Sequence, residues 1–143
     1  MTLTESQKAE VRATMGEYAS AYMKNDIRAF REVFSQDICG FGSGADEVVD
    51  GYAGFVRQIT RDESQATING VEFTKTKIFG DGRVAWVMTR SAISFTVPGG
   101  KMQTLKGRST MVMRNNGNRW KIEQIHFSLP YGGQSEGQSF PGE

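Results

Sequence analysis

His126 is the only histidine in the chain and Cys39 the only cysteine, so imidazole or thiolate chemistry must run through these two positions. In Trp120-Lys121-Ile122-Glu123-Gln124-Ile125-His126-Phe127-Ser128, strand parity predicts that His126 leaves on the same face as Trp120, Ile122, Gln124 and Ser128. An imidazole titrates near neutrality, which suits proton transfer. It suits equally a place in a buried hydrogen-bond network beside Ser128, and the residues alone leave both readings open. Cys39 becomes a nucleophile only if His126 lies against it; otherwise it is a small inert hydrophobe.

A second group of residues fits a pocket for a small organic molecule, which needs apolar walls and a few oriented polar groups. Tyr18 and Tyr22 stand on the first helical pattern, and Trp86, Met88 and Arg90 share one face of a strand pattern. Tyrosine and tryptophan also fill cores, and type alone does not separate the two uses. Arg90 and Arg108, if they faced inward, would require a carboxylate partner or an acidic ligand, because a buried guanidinium is costly unpaired. A two-residue turn at Asn116-Gly117 pairs Met113 with Trp120 and turns Arg108 away from His126, unless a bulge shifts the register.

The elements that must position these residues can be read from periodicity. Thr4-Glu5-Ser6-Gln7 fits a capping box, and Val11, Met15, Tyr18 and Tyr22 follow at helical spacing, which predicts a helix over about residues 5–24. Asp26 can cap a short second helix with Ile27, Phe30, Val33 and Phe34 on one stripe. Ile38-Cys39-Gly40 reads as a short strand running into a glycine-rich turn, where something approaches the backbone closely. Gly40-Phe41-Gly42-Ser43-Gly44 is not a phosphate loop, since no Lys-Ser/Thr follows. Glu47-Val48-Val49 adds a short strand, and Asp50 caps a third helix carrying Tyr52, Phe55, Val56 and Ile59, ended by Arg61-Asp62-Glu63-Ser64.

From Ala66 onward β-branched and aromatic residues dominate, divided by Gly80-Asp81-Gly82, Pro98-Gly99-Gly100 and Asn115-Asn116-Gly117. This predicts a four-stranded antiparallel meander. Helices first and hairpin-linked strands after give an α+β fold, with three helices on one face of a strongly curved, mostly antiparallel sheet. A length of 143 residues suits one core, over residues 1–131, and the polar, glycine-rich stretch 132–143 reads as a flexible tail.

Charge narrows the partners. Lys and Arg total 17 against 16 Asp and Glu, a net of +1, which provides no general pull toward nucleic acid or an anionic membrane. One His and one Cys cannot build a zinc cage, and no cofactor is expected. No apolar run approaches the ~20 residues of a membrane span, and the first residues lack the pattern of a leader, so a cytoplasmic address is the default expectation.

The two helices, short strand, third helix and closing meander resemble the SnoaL-like branch of the nuclear-transport-factor-2-like superfamily. Gly107-Arg108-Ser109-Thr110-Met111-Val112, the Asn-Gly turn, and Trp120 through Pro130 with His126 and Ser128 carry the likeness, as do Gly42-Ser43-Gly44-Ala45-Asp46-Glu47 and Gly51. The resemblance covers about residues 5–130. It implies a cone whose helices cover the concave side of a bent sheet around a deep pocket, and a homodimer formed through the outer sheet face. Ketosteroid isomerase, a member of the superfamily, combines a helix-one tyrosine with a carboxylate base and a protonated carboxylic acid. Tyr18 matches the tyrosine, but Gly42 stands where the base is expected and Ser109 or Thr110 near the acid, so steroid isomerisation is not implied.

Three readings follow. In the first, a small apolar or weakly acidic organic molecule binds among Tyr18, Tyr22, Trp86, Met88, Arg90, Arg108, His126 and Ser128. In the second, an isomerase, cyclase or hydratase uses Tyr18 or Tyr22 as an oxyanion donor and His126 as the proton carrier. In the third, the domain is an assembly module whose outer face buries Ile125 and Phe127 against a second copy.

Overall fold

The computed structural model describes residues 2–142. Helix α1, Glu5–Lys24, begins with the expected capping box: Gln7 N–H donates to the Thr4 hydroxyl at 3.1 Å, and Thr4 N–H to Gln7 Oε1 at 2.9 Å. It ends at Asn25, whose left-handed φ of 50° lets its N–H reach back to the last carbonyls. Asp26 caps α2, Ile27–Val33, through Ala29 N–H at 3.2 Å. Phe34 then leaves the helical stripe and opens strand β1, Phe34–Phe41, longer than the sequence suggested. Strand β2, Val48–Asp50, leads into α3, Gly51–Gln65. Asp50 occupies the N-cap of α3 without a side-chain capping bond, and Arg61-Asp62-Glu63-Ser64 remain helical instead of ending the helix.

Strands β3 (Thr67–Asp81), β4 (Val84–Thr96), β5 (Met102–Asn115) and β6 (Trp120–Ser128) form the antiparallel meander. The chain reverses at Gly82, Gly99 and Gly117, all at positive φ, as the turn signals predicted. The six-stranded sheet runs β2-β1-β6-β5-β4-β3, with β1 parallel to β6 and the other pairings antiparallel. Helix α1 lies across β3 and α3 across β1, so all three helices cover one face. The core between them contains Phe30, Phe34, Ile38, Met111, Met113 and Ile122, each essentially sealed from solvent. This α+β arrangement is the architecture expected from the sequence.

The β5–β6 register differs from that expectation. Asn115 pairs with Trp120 and Met113 with Ile122, which leaves four residues in the connection instead of two. The next pair is Val112 with Gln124, so Glu123 has no partner on β5 and forms a bulge. One inserted residue reverses the parity of everything after it: Ile125 and Phe127 turn inward, and Gln124, His126 and Ser128 turn outward. Beyond the bulge β1 approaches β6 closely. A Cβ on Gly40, at φ 152°, would fall 1.7 Å from the Ile125 carbonyl oxygen, which explains the glycine here.

Gly40→Ala forces that backbone apart and is expected to cost more than ~2 kcal/mol of unfolding free energy. Gly82→Ala, at a positive-φ turn with open space around it, should cost about 1 kcal/mol. Urea denaturation of the two variants measures the difference, and equal effects would contradict a steric requirement at Gly40.

Candidate functional site

Between the helices and the inner sheet face lies a cavity of about 90 Å³. Its apolar wall includes Val49, Phe55, Ile59, Val71, Phe73 and Ile125. An outer vestibule of about 230 Å³ continues it toward Phe95, Val97 and Leu105. Tyr22, Glu47, Asp62, Ile93 and Phe127 line both spaces and so form the neck between them.

Polar groups gather at this neck. The Tyr22 hydroxyl donates to Asp62 Oδ2 at 2.7 Å, and Gln58 Nε2 to Asp62 Oδ1 at 2.9 Å. Asp62 faces inward because it continues the α3 stripe of Phe55 and Ile59 at spacings of four and three. Glu47 reaches the neck from the loop before β2. A Cβ on Gly42 or Gly44 would collide with the Glu47 side chain, so those glycines make room for its carboxylate. The loop is tied to α3 by Arg61, whose guanidinium binds Asp46 at 2.8 and 3.1 Å and approaches Glu47 Oε1 at 3.5 Å. Ser91 and Ser109, buried on neighbouring strands, are hydrogen-bonded to each other through their hydroxyls at 2.6 Å and complete the wall.

Electrostatics at the neck favour protonated groups. Burial raises the Asp62 carboxyl above its ordinary value, and the nearby Glu47 charge raises it further, while the bonds from Tyr22 and Gln58 and the charge of Arg61 oppose the shift. Glu63 is raised by burial and by Asp62, and its Oε1 is closed off without a hydrogen-bond partner among the described residues. Burial, followed by the Asp62 charge, holds the Tyr18 phenol well above its ordinary value, and the same two causes lead at Tyr22. Both phenols are therefore donors at neutral pH. The Tyr18 ring packs edge-on against Phe34 at 5.2 Å and alongside Phe73 at 6.2 Å, and its hydroxyl makes no hydrogen bond to the described residues. It is an unspent donor of the cavity.

The sequence model of the SnoaL-like domain matches residues 11–132, from within α1 through the end of β6. The chain belongs to the SnoaL-like domain family. Comparison with curated proteins gives no match. Among solved structures, an NTF2-like superfamily protein from Salmonella enterica superposes with a TM-score of 0.83 at 17% identity, covering 96% of this chain and 100% of that one. A ketosteroid isomerase-like protein from Erwinia carotovora gives 0.74 at 14%, covering 87% and 97%. A Caulobacter vibrioides protein with a cystatin-like fold gives 0.72 at 15%, covering 87% and 90%. At such identities these likenesses establish the fold.

The SnoaL-like domain brings only part of the expected site together. Tyr18 and Tyr22 line the cavity. His126 and Ser128 do not, because the Glu123 bulge sends them to the outer face, where His126 meets the Phe41 ring at 5.6 Å. Trp86, Met88 and Arg90 also leave β4 outward: Ala85, Val87, Thr89 and Ser91 are its buried positions, while Trp86 is 47% and Met88 56% exposed. Arg108 is exposed beside Ser128 on that same outer face. The two residues assigned outward, Ile125 and Phe127, are cavity walls. Cys39 is exposed, takes Gln124 as its register partner and donates to the Glu123 carbonyl at 3.8 Å, while His126 stands opposite Phe41. Sequence reasoning missed Asp62 and Glu47. The helical spacing from Phe55 and Ile59 was the available signal for Asp62; nothing local marked Glu47.

Asp62 makes stability pH-dependent with a definite sign. A carboxyl raised in the folded state binds protons more tightly there than when unfolded. Its contribution to stability therefore falls as pH climbs from the ordinary value of ~3.9 through the raised one, and is level above it. Carbon-detected NMR titration of Asp62 should give a midpoint above ~3.9. Tyr22→Phe, which removes a bond to the charged form, should move it higher, and Glu47→Gln should move it lower.

Proposed function

We propose that this domain binds a small, neutral, mainly apolar organic molecule in the cone cavity, with one oxygen of the ligand accepting a hydrogen bond from Tyr18. The observation that carries this reading is Tyr18, which lines an apolar chamber and whose hydroxyl has no hydrogen-bond partner among the described residues. Size constrains the ligand. A protein cavity of about 150 Å³ holds one benzene ring, so an inner chamber of about 90 Å³ takes a ring only if the ligand extends through the neck into the vestibule. It then lies beside the Tyr22–Asp62 pair. The Glu47 and Asp62 carboxyl groups at this neck oppose an anionic ligand, so the acidic alternative raised by Arg90 and Arg108 does not carry over to the cavity.

The same arrangement supports proton transfer of the isomerase or hydratase kind, with Asp62 as the acceptor in place of His126. A raised carboxyl works closer to neutral pH than an ordinary one, and Tyr18 is placed to donate to a developing oxyanion. Thermal-shift and NMR titrations with phenol and cyclohexanone as probes test the binding step. Expected are chemical-shift changes at Tyr18, Phe73 and Ile93, an affinity about threefold to tenfold weaker in Tyr18→Phe, and none in Ile93→Trp. Shifts absent from these positions would refute the cavity reading.

A second reading concerns assembly through the outer sheet face. Phe79, Trp86 and Val112 are cross-strand neighbours there, with Met88 beside them, and Phe79, Trp86 and Met88 are about half exposed. An apolar stripe of this kind suits a twofold partner, a second copy of the chain. Light scattering at micromolar concentration should give a dimer and Trp86→Glu a folded monomer; a monomeric wild-type chain would overturn this.

A further inference from the structure

The outer face carries a second feature, which borders the apolar stripe at Met88. Along β4 the outward residues change character, from Trp86 and Met88 to Arg90. Arg90 is paired directly with Arg108 across the β4–β5 ladder. Like charges opposite one another in a sheet are destabilising. On the other side of Arg90, Thr74 is its partner, and the next residue, Lys75, sits in a bulge of β3 at a left-handed φ of 52°. That conformation is costly for a side chain other than glycine, asparagine or aspartate. The bulge is held by its own hydroxyls: Thr89 Oγ1 lies 2.8 Å from Thr76 Oγ1 and donates to the Thr74 carbonyl at 3.1 Å. Two clefts, of about 400 and 490 Å³, share Lys75, Arg90 and Arg108 in their walls.

The rest of the lining supports the same electrostatic sign. Lys106 enters one cleft, and Thr110, His126 and Ser128 supply further polar groups to the other. No carboxylate lines either cleft, and among the described residues Lys75, Arg90, Arg108 and Lys106 have no ion-pair partner. Glu72 is on the same strand but outside both walls. A repulsive arginine pair and a strained lysine therefore converge on a space with nothing to neutralise them.

We propose that this basic cleft is a binding site for a multiply charged oxyanion, a phosphate or carboxylate group of a small molecule. Two guanidinium forks can bind such a group in bidentate fashion, Lys75 adds a point charge, and Met88 and Pro130 offer apolar contact to the organic part. The clefts lie on the opposite side of the sheet from the cavity, with Ser91 and Ser109 of the intervening strands bordering both. The site also explains why the arginine pair persists: bound anion converts mutual repulsion into shared attraction.

NMR titration of the full chain at low salt with pyrophosphate and, separately, citrate tests the proposal and distinguishes the two oxyanion sources. Saturable shifts at residues 75, 90, 108 and 128 with at least one probe, weakened at least tenfold in Arg90→Gln/Arg108→Gln, are expected. Arg108→Gln alone should raise Tm without anion, by relieving the repulsion, and should abolish the Tm increase that the bound probe produces in the parent chain. No saturable shift with either probe, an affinity unchanged in the double variant, or a Tm lowered by Arg108→Gln would each overturn the assignment.

Discussion

A single unpaired residue, Glu123, decides which chemistry faces which space. Because side chains alternate along a strand, the inserted residue leaves Trp120 and Ile122 in the core and then exchanges the faces for the rest of β6. Without it, His126 and Ser128 would look into the cone, and Ile125 and Phe127 would be outside. The bulge is held from both sides. On one side β5 keeps its pairing to Thr110 and Arg108; on the other Cys39 donates to the Glu123 carbonyl and Gly40 lets β1 close onto Ile125. The cavity wall and the polar outer face are two consequences of one local distortion.

The cavity's polarity is built differently, from α3 and the loop that precedes it. Asp62 is buried enough that its charge is costly, yet it receives two side-chain hydrogen bonds that favour the charged form. These opposed contributions leave a carboxyl whose protonation responds to small changes at Tyr22, Gln58 or Glu47. Arg61, the neighbouring residue, holds the loop carboxylates from outside and keeps Glu47 in range. The stretch Arg61-Asp62-Glu63 therefore divides its labour by helical direction: one side chain ties the loop, the next lines the neck, and the third closes off a carboxyl without a partner.

The elements were legible because each rested on local signals: Thr4 and Gln7 at a helix start, Asp26 at the next, and glycine-bearing turns at Gly82, Gly99 and Gly117. Tyr18 and Tyr22 were legible as well, since the first helix has one buried side and both fall on it. Facing was not legible on β6, because parity is carried forward from one residue to the next and no sequence signal marked Glu123 as unpaired. On β4 the difficulty was composition. Trp86 and Met88 are bulky and apolar, whereas the inward positions hold Ala85, Thr89 and Ser91, small residues that leave room for helices and cavity. Hydrophobicity therefore pointed the wrong way along this strand.

The near balance of 17 basic and 16 acidic residues conceals a separation of charge by the sheet. Glu47, Asp62 and Glu63 cluster around the cavity neck, while Lys75, Arg90, Arg108 and Lys106 gather outside. Net charge governs interactions at long range, but at physiological salt exposed charges are screened beyond ~8 Å, so a ligand responds to the cluster it touches. The inner space consequently disfavours anions and the outer cleft attracts them, although the chain as a whole is close to neutral. Attraction of a small oxyanion is compatible with a near-neutral chain, because it needs only two guanidinium groups side by side, not an extended basic surface.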